Sequence, residues 1–164
     1  MSDAAEAQHF IQAEPASRAG LIQALGSMDT FQDIVQFRSD RFAPVLPEEC
    51  QVNPEVYGAE LAFWLSAELA RRGVATSYPQ SEDWGWFIEF VTDTGSEFAV
   101  HCGNVEGAKD QWLLSLRRHA RKMFGRDKPP YSEANRLVTA IKDSVQSVVP
   151  AADTQWLYGE PGAA

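Results

Sequence analysis

The sequence predicts an α+β domain, a mostly antiparallel sheet of four to five strands with two main helices packed on one face. Three observations carry this. Apolar residues alternate with period 2 in three consecutive segments between residues 83 and 117, with turn residues between them. A stripe at helical spacing precedes those segments. A second stripe follows them.

Residues 1–15 are mostly small and polar and are expected to form a flexible N-terminal segment. Residues 16–150 then form a single α+β domain, followed by a tail at 151–164. Ala19, Ile22 and Leu25 recur every three residues, so a short helix is expected over 16–26, with Gly26 as its stop. FQDIVQFR at 31–38 allows two readings. Phe31, Val35 and Phe37 share one face of a strand, whereas Thr30 and Asp33 fit the capping box of a helix. The density of β-formers favours the strand.

Asn53 suits an N-cap, Pro54 the first helical position, and Glu55 the positive end of the dipole. Tyr57, Leu61, Trp64, Leu65 and Leu69 form the stripe, and Gly73 ends the helix after Arg71 and Arg72. VATSY at 74–78 reads as a short strand stopped by Pro79. DWGWFIEFV at 83–91 puts Trp84, Trp86, Ile88 and Phe90 on one face of a strand. The turn DTG leads to SEFAVHC at 96–102, and GNVEG at 103–107 leads to QWLLSLR at 111–117. Ser132 is placed to cap the last helix, with Leu137, Ile141, Val145 and Val148 as its stripe and Pro150 as its stop. In the tail, Trp156, Leu157 and Tyr158 form an apolar cluster that can dock on the body.

The chain has 164 residues, enough for one domain with a real core, and a net charge of -9 that opposes nonspecific binding to nucleic acid or an anionic membrane. No apolar run approaches the ~20 residues of a bilayer span. MSDAAEAQHF has acids and neither a basic nor an apolar stretch, so no signal peptide is expected. Cys50 and Cys102 lie outside any CxxC pattern and the three histidines are scattered. This leads us to expect two reduced thiols, no metal, no cofactor and a cytoplasmic location.

Three groups of residues invite a chemical reading. Glu82, Asp83 and Glu89 are carboxylates close enough in sequence to tune one another, and equally suit a solvated surface. His101 and Cys102 are neighbours in a strand, so they point to opposite faces and cannot pair as base and nucleophile. The third group is LRRHARKMFGRDKPPY. Six of the fourteen basic residues fall between Arg117 and Lys128, leaving a net of -14 on the rest of the chain. Arg117, Arg118, Arg121, Lys122 and Arg126 are positioned to grip an anion, with Phe124 as an apolar anchor. They equally suit a solvated strand end paired with the chain's own acids. Trp84 and Trp86 are read first as aromatic core and second as a partner anchor.

The order NPEVYGAELAFWL, EDWGWFIEF, HCGNV and RKMFGRDKPP resembles a group of small uncharacterised bacterial proteins over roughly residues 31–148. The resemblance implies a bacterial cytoplasmic source. It brings no activity, ligand or catalytic residue.

Without a nucleophile motif, metal set or phosphate loop, the sequence leans away from an enzyme. The expected function is a noncatalytic protein-binding module, an adaptor or an immunity or antitoxin-like protein, with another protein as partner. The alternative is a small-anion or nucleotide binder using residues 117–128. A homodimer through edge strands or the tryptophan surface is compatible with either.

Overall fold

The computed structural model describes residues 34–119 and 128–157. The expected flexible segment at 1–15 and the expected helix at 16–26 lie outside these residues. Within them is one antiparallel sheet: β1 (Ile34–Arg38), β2 (Gln80–Glu82), β3 (Gly85–Val91), β4 (Glu97–Asn104), β5 (Gln111–Arg118) and β6 (Thr154–Trp156). Two helices accompany it, α1 (Ala59–Arg71) and α2 (Asn135–Gln146). The strand order is β2-β3-β4-β5-β1-β6. The meander β2 to β5 is built from successive hairpins, and β1 and β6 complete the far edge.

Alternation places Val35 and Phe37 of β1, Ile88 and Phe90 of β3, Phe98, Val100 and Cys102 of β4, and Trp112, Leu114 and Leu116 of β5 in the core. Leu61, Leu65 and Leu69 of α1 join them from the helix layer, with Leu137, Ile141 and Val145 of α2. Each such aliphatic side chain contributes about 1.5–3 kcal/mol by leaving water. Trp112 is fully buried, and its Nε1–H donates to the Ser39 carbonyl at 2.7 Å.

The α+β class, the antiparallel sheet and the two helices follow the expectation, but the sheet has six strands where four to five were expected. The additional strand comes from the tail, where Trp156 lies opposite Val35 and packs on the core. Residues 34–38 of the ambiguous segment are strand.

Three local expectations are corrected. The first helix begins at Ala59 rather than Pro54, with Gly58 at its N-cap. Glu55 has φ of 60°, outside the helical region, and the Asn53 side chain donates to the Asp83 carbonyl instead of capping. Gly58, at φ 150°, lies so close to β4 that a Cβ there would fall 2.4 Å from the Cys102 carbonyl oxygen. The tight turn that carries the chain onto β4 therefore takes the residues that would have made the first helical turn.

The expected strand at 74–78 does not form; the strand is Gln80–Glu82. Val74 and Gly73 close α1 instead, with Val74 N–H donating to the Leu69 carbonyl at 2.9 Å and Gly73 N–H to that of Ala70 at 3.0 Å. Ser77 then donates its own N–H to the Glu89 carbonyl, but its hydroxyl, not its carbonyl, accepts from Glu89 N–H. A side chain has displaced the ladder partner. At the last helix, Ser132 lies within a short 3-10 turn, Tyr131–Ala134, and α2 begins after it without a side-chain cap.

Candidate functional site

A fourth correction creates the site. The strand expected at 83–91 starts at Gly85, and Asp83 and Trp84 form the two-residue loop between β2 and β3, where Glu82 pairs with Gly85. Gly85 has φ of 139°, a conformation that favours glycine. Trp84 consequently does not share a face with Trp86. Trp86 packs on the core side, against Phe63 with ring centroids 6.2 Å apart. Trp84 crosses to the opposite side and stacks on His101, centroids 4.1 Å apart and planes 23° from parallel. Phe87 completes the aromatic group, 5.6 Å from Trp84.

Cross-strand neighbours share a face of the sheet. Gln80, Phe87, His101 and Ser115 therefore form one row across β2 to β5. The next row carries Glu82 and Gly85, with Gly103 and Leu113 paired on β4 and β5. On the other side of the first row lie Glu89, Ala99 and Arg117. None of these residues belongs to the core that both helices complete. The small members, Ala99 and Ser115, are buried, whereas Phe87, His101 and Leu113 are only partly buried. Trp84 is 52% exposed, a high value for the largest side chain. A Cβ added at Gly103 would meet nothing within 4 Å, so the surface is open there.

The electrostatics divide along the face. At the hairpin end, Glu82 and Asp83 are exposed and have no ion-pair partner among the described residues. Glu89 accepts from the Gln80 amide at 3.2 Å. At the other end Arg117 is exposed, also without an ion pair among the described residues. Burial, with smaller contributions from the charges of Arg117 and His119, pushes the His101 imidazole down to about 4. It is neutral at pH 7, so the plate beneath Trp84 carries no charge.

Of the sequence-selected residues, Trp84 and Arg117 lie on this face, and Trp86 and Arg118 lie on the helix side. Arg118 donates to the Pro129 carbonyl at 3.2 Å, and its guanidinium sits 4.4 Å from the centre of the Tyr131 ring. Arg117 and Arg118 thus point apart, as successive strand residues must. Arg121, Lys122, Phe124 and Arg126 lie outside the described residues. Cys102 is fully buried and burial pushes its thiol well above the ordinary range, opposite to what a nucleophile needs. Its neighbour His101 faces the other way, as alternation requires.

Sequence reasoning missed Phe87 and His101 as partners of Trp84, because the register that aligns Phe87 with His101 is not written in either segment. It also missed a polar clasp at the start of α1. The Glu48 carboxylate accepts from the Tyr57 hydroxyl at 2.6 Å and from the Glu55 N–H. Asn104 accepts from Tyr57 N–H at 3.0 Å and donates to the carbonyls of Glu55 and Ala108. The backbone bond from Glu55, then the Tyr57 hydroxyl, hold the Glu48 carboxyl below its usual range. The Glu48 bond, followed by burial, pushes Tyr57 up to about 12. Each partner stabilises the form the other needs, so the clasp ties the loop before α1 to the β4–β5 hairpin.

No family model matches the chain, and no curated protein or solved structure matches it at a significant level.

Proposed function

We propose that the chain is a noncatalytic protein-binding module, an adaptor or an immunity or antitoxin-like protein, that meets its partner through the sheet face turned away from α1 and α2. The observation that carries this reading is the placement of Trp84: half exposed, held flat on His101, and flanked by Phe87. A rigid exposed tryptophan on a flat surface is the kind of anchor that dominates protein interfaces. The acidic excess of the chain favours a partner with a basic surface.

The test is capture from a lysate of the source organism on the immobilised full chain at moderate salt, with Trp84→Ala run beside the wild type. A single stoichiometric partner, lost on the variant, supports the reading. A partner retained equally by both would sink it, because the contact would then lie elsewhere.

The alternative, a small-anion or nucleotide binder, is favoured by one observation: Arg117 is exposed on this same face and has no ion pair among the described residues. A melting-temperature panel of phosphates and nucleotides checks it, since a bound anion must raise Tm and Arg117→Ala must remove the rise.

A further inference from the structure

The sheet face turned away from α1 and α2 is chemically specific at its hairpin end. Trp84 presents one ring face to His101 and remains half exposed. The two residues before it, Glu82 and Asp83, are exposed carboxylates with no ion pair among the described residues. An indole face attracts a cation through its quadrupole, and a carboxylate beside it supplies the countercharge. The combination suits a guanidinium better than an ammonium, because a planar cation both stacks and donates in its own plane.

We infer that the partner's contact is an exposed segment bearing arginine, with one guanidinium stacked on Trp84 and hydrogen-bonded to Glu82 or Asp83. This rests on the reading of that face as the docking surface and names the chemistry of its occupant. Charge complementarity selects that occupant. The hairpin end is acidic, the chain carries a net charge of -9, and an acidic segment would meet uncompensated repulsion there. The charge also locates the cation along the face, since Arg117 repels it from the row of Glu89 and Ala99. The ring beneath Trp84 is a neutral imidazole at pH 7 and does not oppose a cation above it. Beside the aromatic row, the bare surface at Gly103 leaves room for the segment's backbone to approach the sheet.

The experiment titrates the full chain with an end-blocked tetra-arginine peptide at physiological salt, by calorimetry and by the indole N–H signals in NMR. A tetra-citrulline peptide, which keeps the shape and removes the charge, and a tetra-glutamate peptide serve as comparisons. The arginine peptide is expected to bind and to shift the Trp84 signal, and the other two are expected not to bind. Trp84→Ala is expected to weaken binding about tenfold, Trp84→Phe to restore part of the loss, and Glu82→Gln with Asp83→Asn to weaken it comparably. Trp84 is exposed, so these variants keep the core, and circular dichroism verifies their fold.

Equal binding of the arginine peptide to wild type and Trp84→Ala would overturn the inference, reducing the effect to general attraction by an acidic protein. Equal binding of citrulline and arginine peptides would also overturn it, since the cation would play no part. If no peptide binds, the inference fails alone. The docking-face reading is decided separately, by whether Trp84→Ala loses the captured partner.

Discussion

Trp84 lies stacked on His101, with ring centroids 4.1 Å apart, on the sheet face opposite the core. The two residues are seventeen positions apart in sequence and meet because β3 and β4 align Phe87 with His101. An exposed tryptophan is thereby given a fixed orientation, and a partly buried histidine is given a lid.

The lid has a consequence for acid stability. An ordinary histidine titrates near 6.5, whereas His101 is pushed down to about 4, chiefly by burial. Between these values the unfolded chain binds a proton that the folded chain does not. The contribution of His101 is therefore complete above about pH 6.5 and is lost progressively as pH falls toward about 4. Allowing for the partial exposure of the ring, we expect about 1–2 kcal/mol across this window. Urea midpoints measured through the window should show this loss in the wild type and a smaller one in His101→Phe. Parallel curves for the two proteins would exclude the assignment.

Gly58→Ala should be among the most damaging single-atom-group changes in the chain. The added Cβ would sit 2.4 Å from the Cys102 carbonyl oxygen, which is backbone of a central strand and cannot swing aside. The φ of 150° is itself strained for alanine. A cost of about 3 kcal/mol or more is expected, read as a drop in the denaturation midpoint. A neutral result would mean that α1 does not approach β4 this closely.

The Glu48–Tyr57 bond predicts a limit on the alkaline side. Tyrosine ordinarily titrates near 10, and Tyr57 is held up to about 12 by the Glu48 carboxylate. The unfolded chain releases its proton first, so the clasp's contribution is complete below about pH 10 and is lost as pH rises toward about 12. Ultraviolet titration should reveal one tyrosine ionising late, and Tyr57→Phe should remove that late component. If all tyrosines ionise together in both proteins, the bond does not persist in solution.

Trp112→Phe should cost about 2–3 kcal/mol, because it leaves the Ser39 carbonyl without its donor and opens space in a fully buried site. Thermal unfolding checks this directly. The binding behaviour of the face that carries Trp84 should be unchanged, since Trp112 lies on the core side.

Much of the fold was legible in local patterns. The alternation in residues 98–102 and 112–116 matches the core-facing side chains of β4 and β5, and the spacing of Leu61, Leu65 and Leu69 matches the buried stripe of α1. Ends were legible only where local chemistry decided them, as at Gly73, whose φ of 75° and the Schellman bonds around it close α1. The start of α1 was not legible. Asn53, Pro54 and Glu55 form a good capping sequence, and only the approach of the chain to Cys102 and Asp83 overrides it. Ser77 is a similar case, since its hydroxyl reaches Glu89 only after the hairpin has formed.

The amino-acid sequence by itself determined the α+β class, the positions of the central strands, the two helices and the separation of His101 from Cys102. These depend on periodicity within single segments, where a side chain's direction follows from its neighbours along the chain. Only the tertiary structure decided that β6 adds to β1, that Trp84 leaves the face of Trp86, and that it comes to rest on His101. These depend on register and on one glycine at φ 139°, and register is set by hydrogen bonds between segments whose sequences do not specify each other.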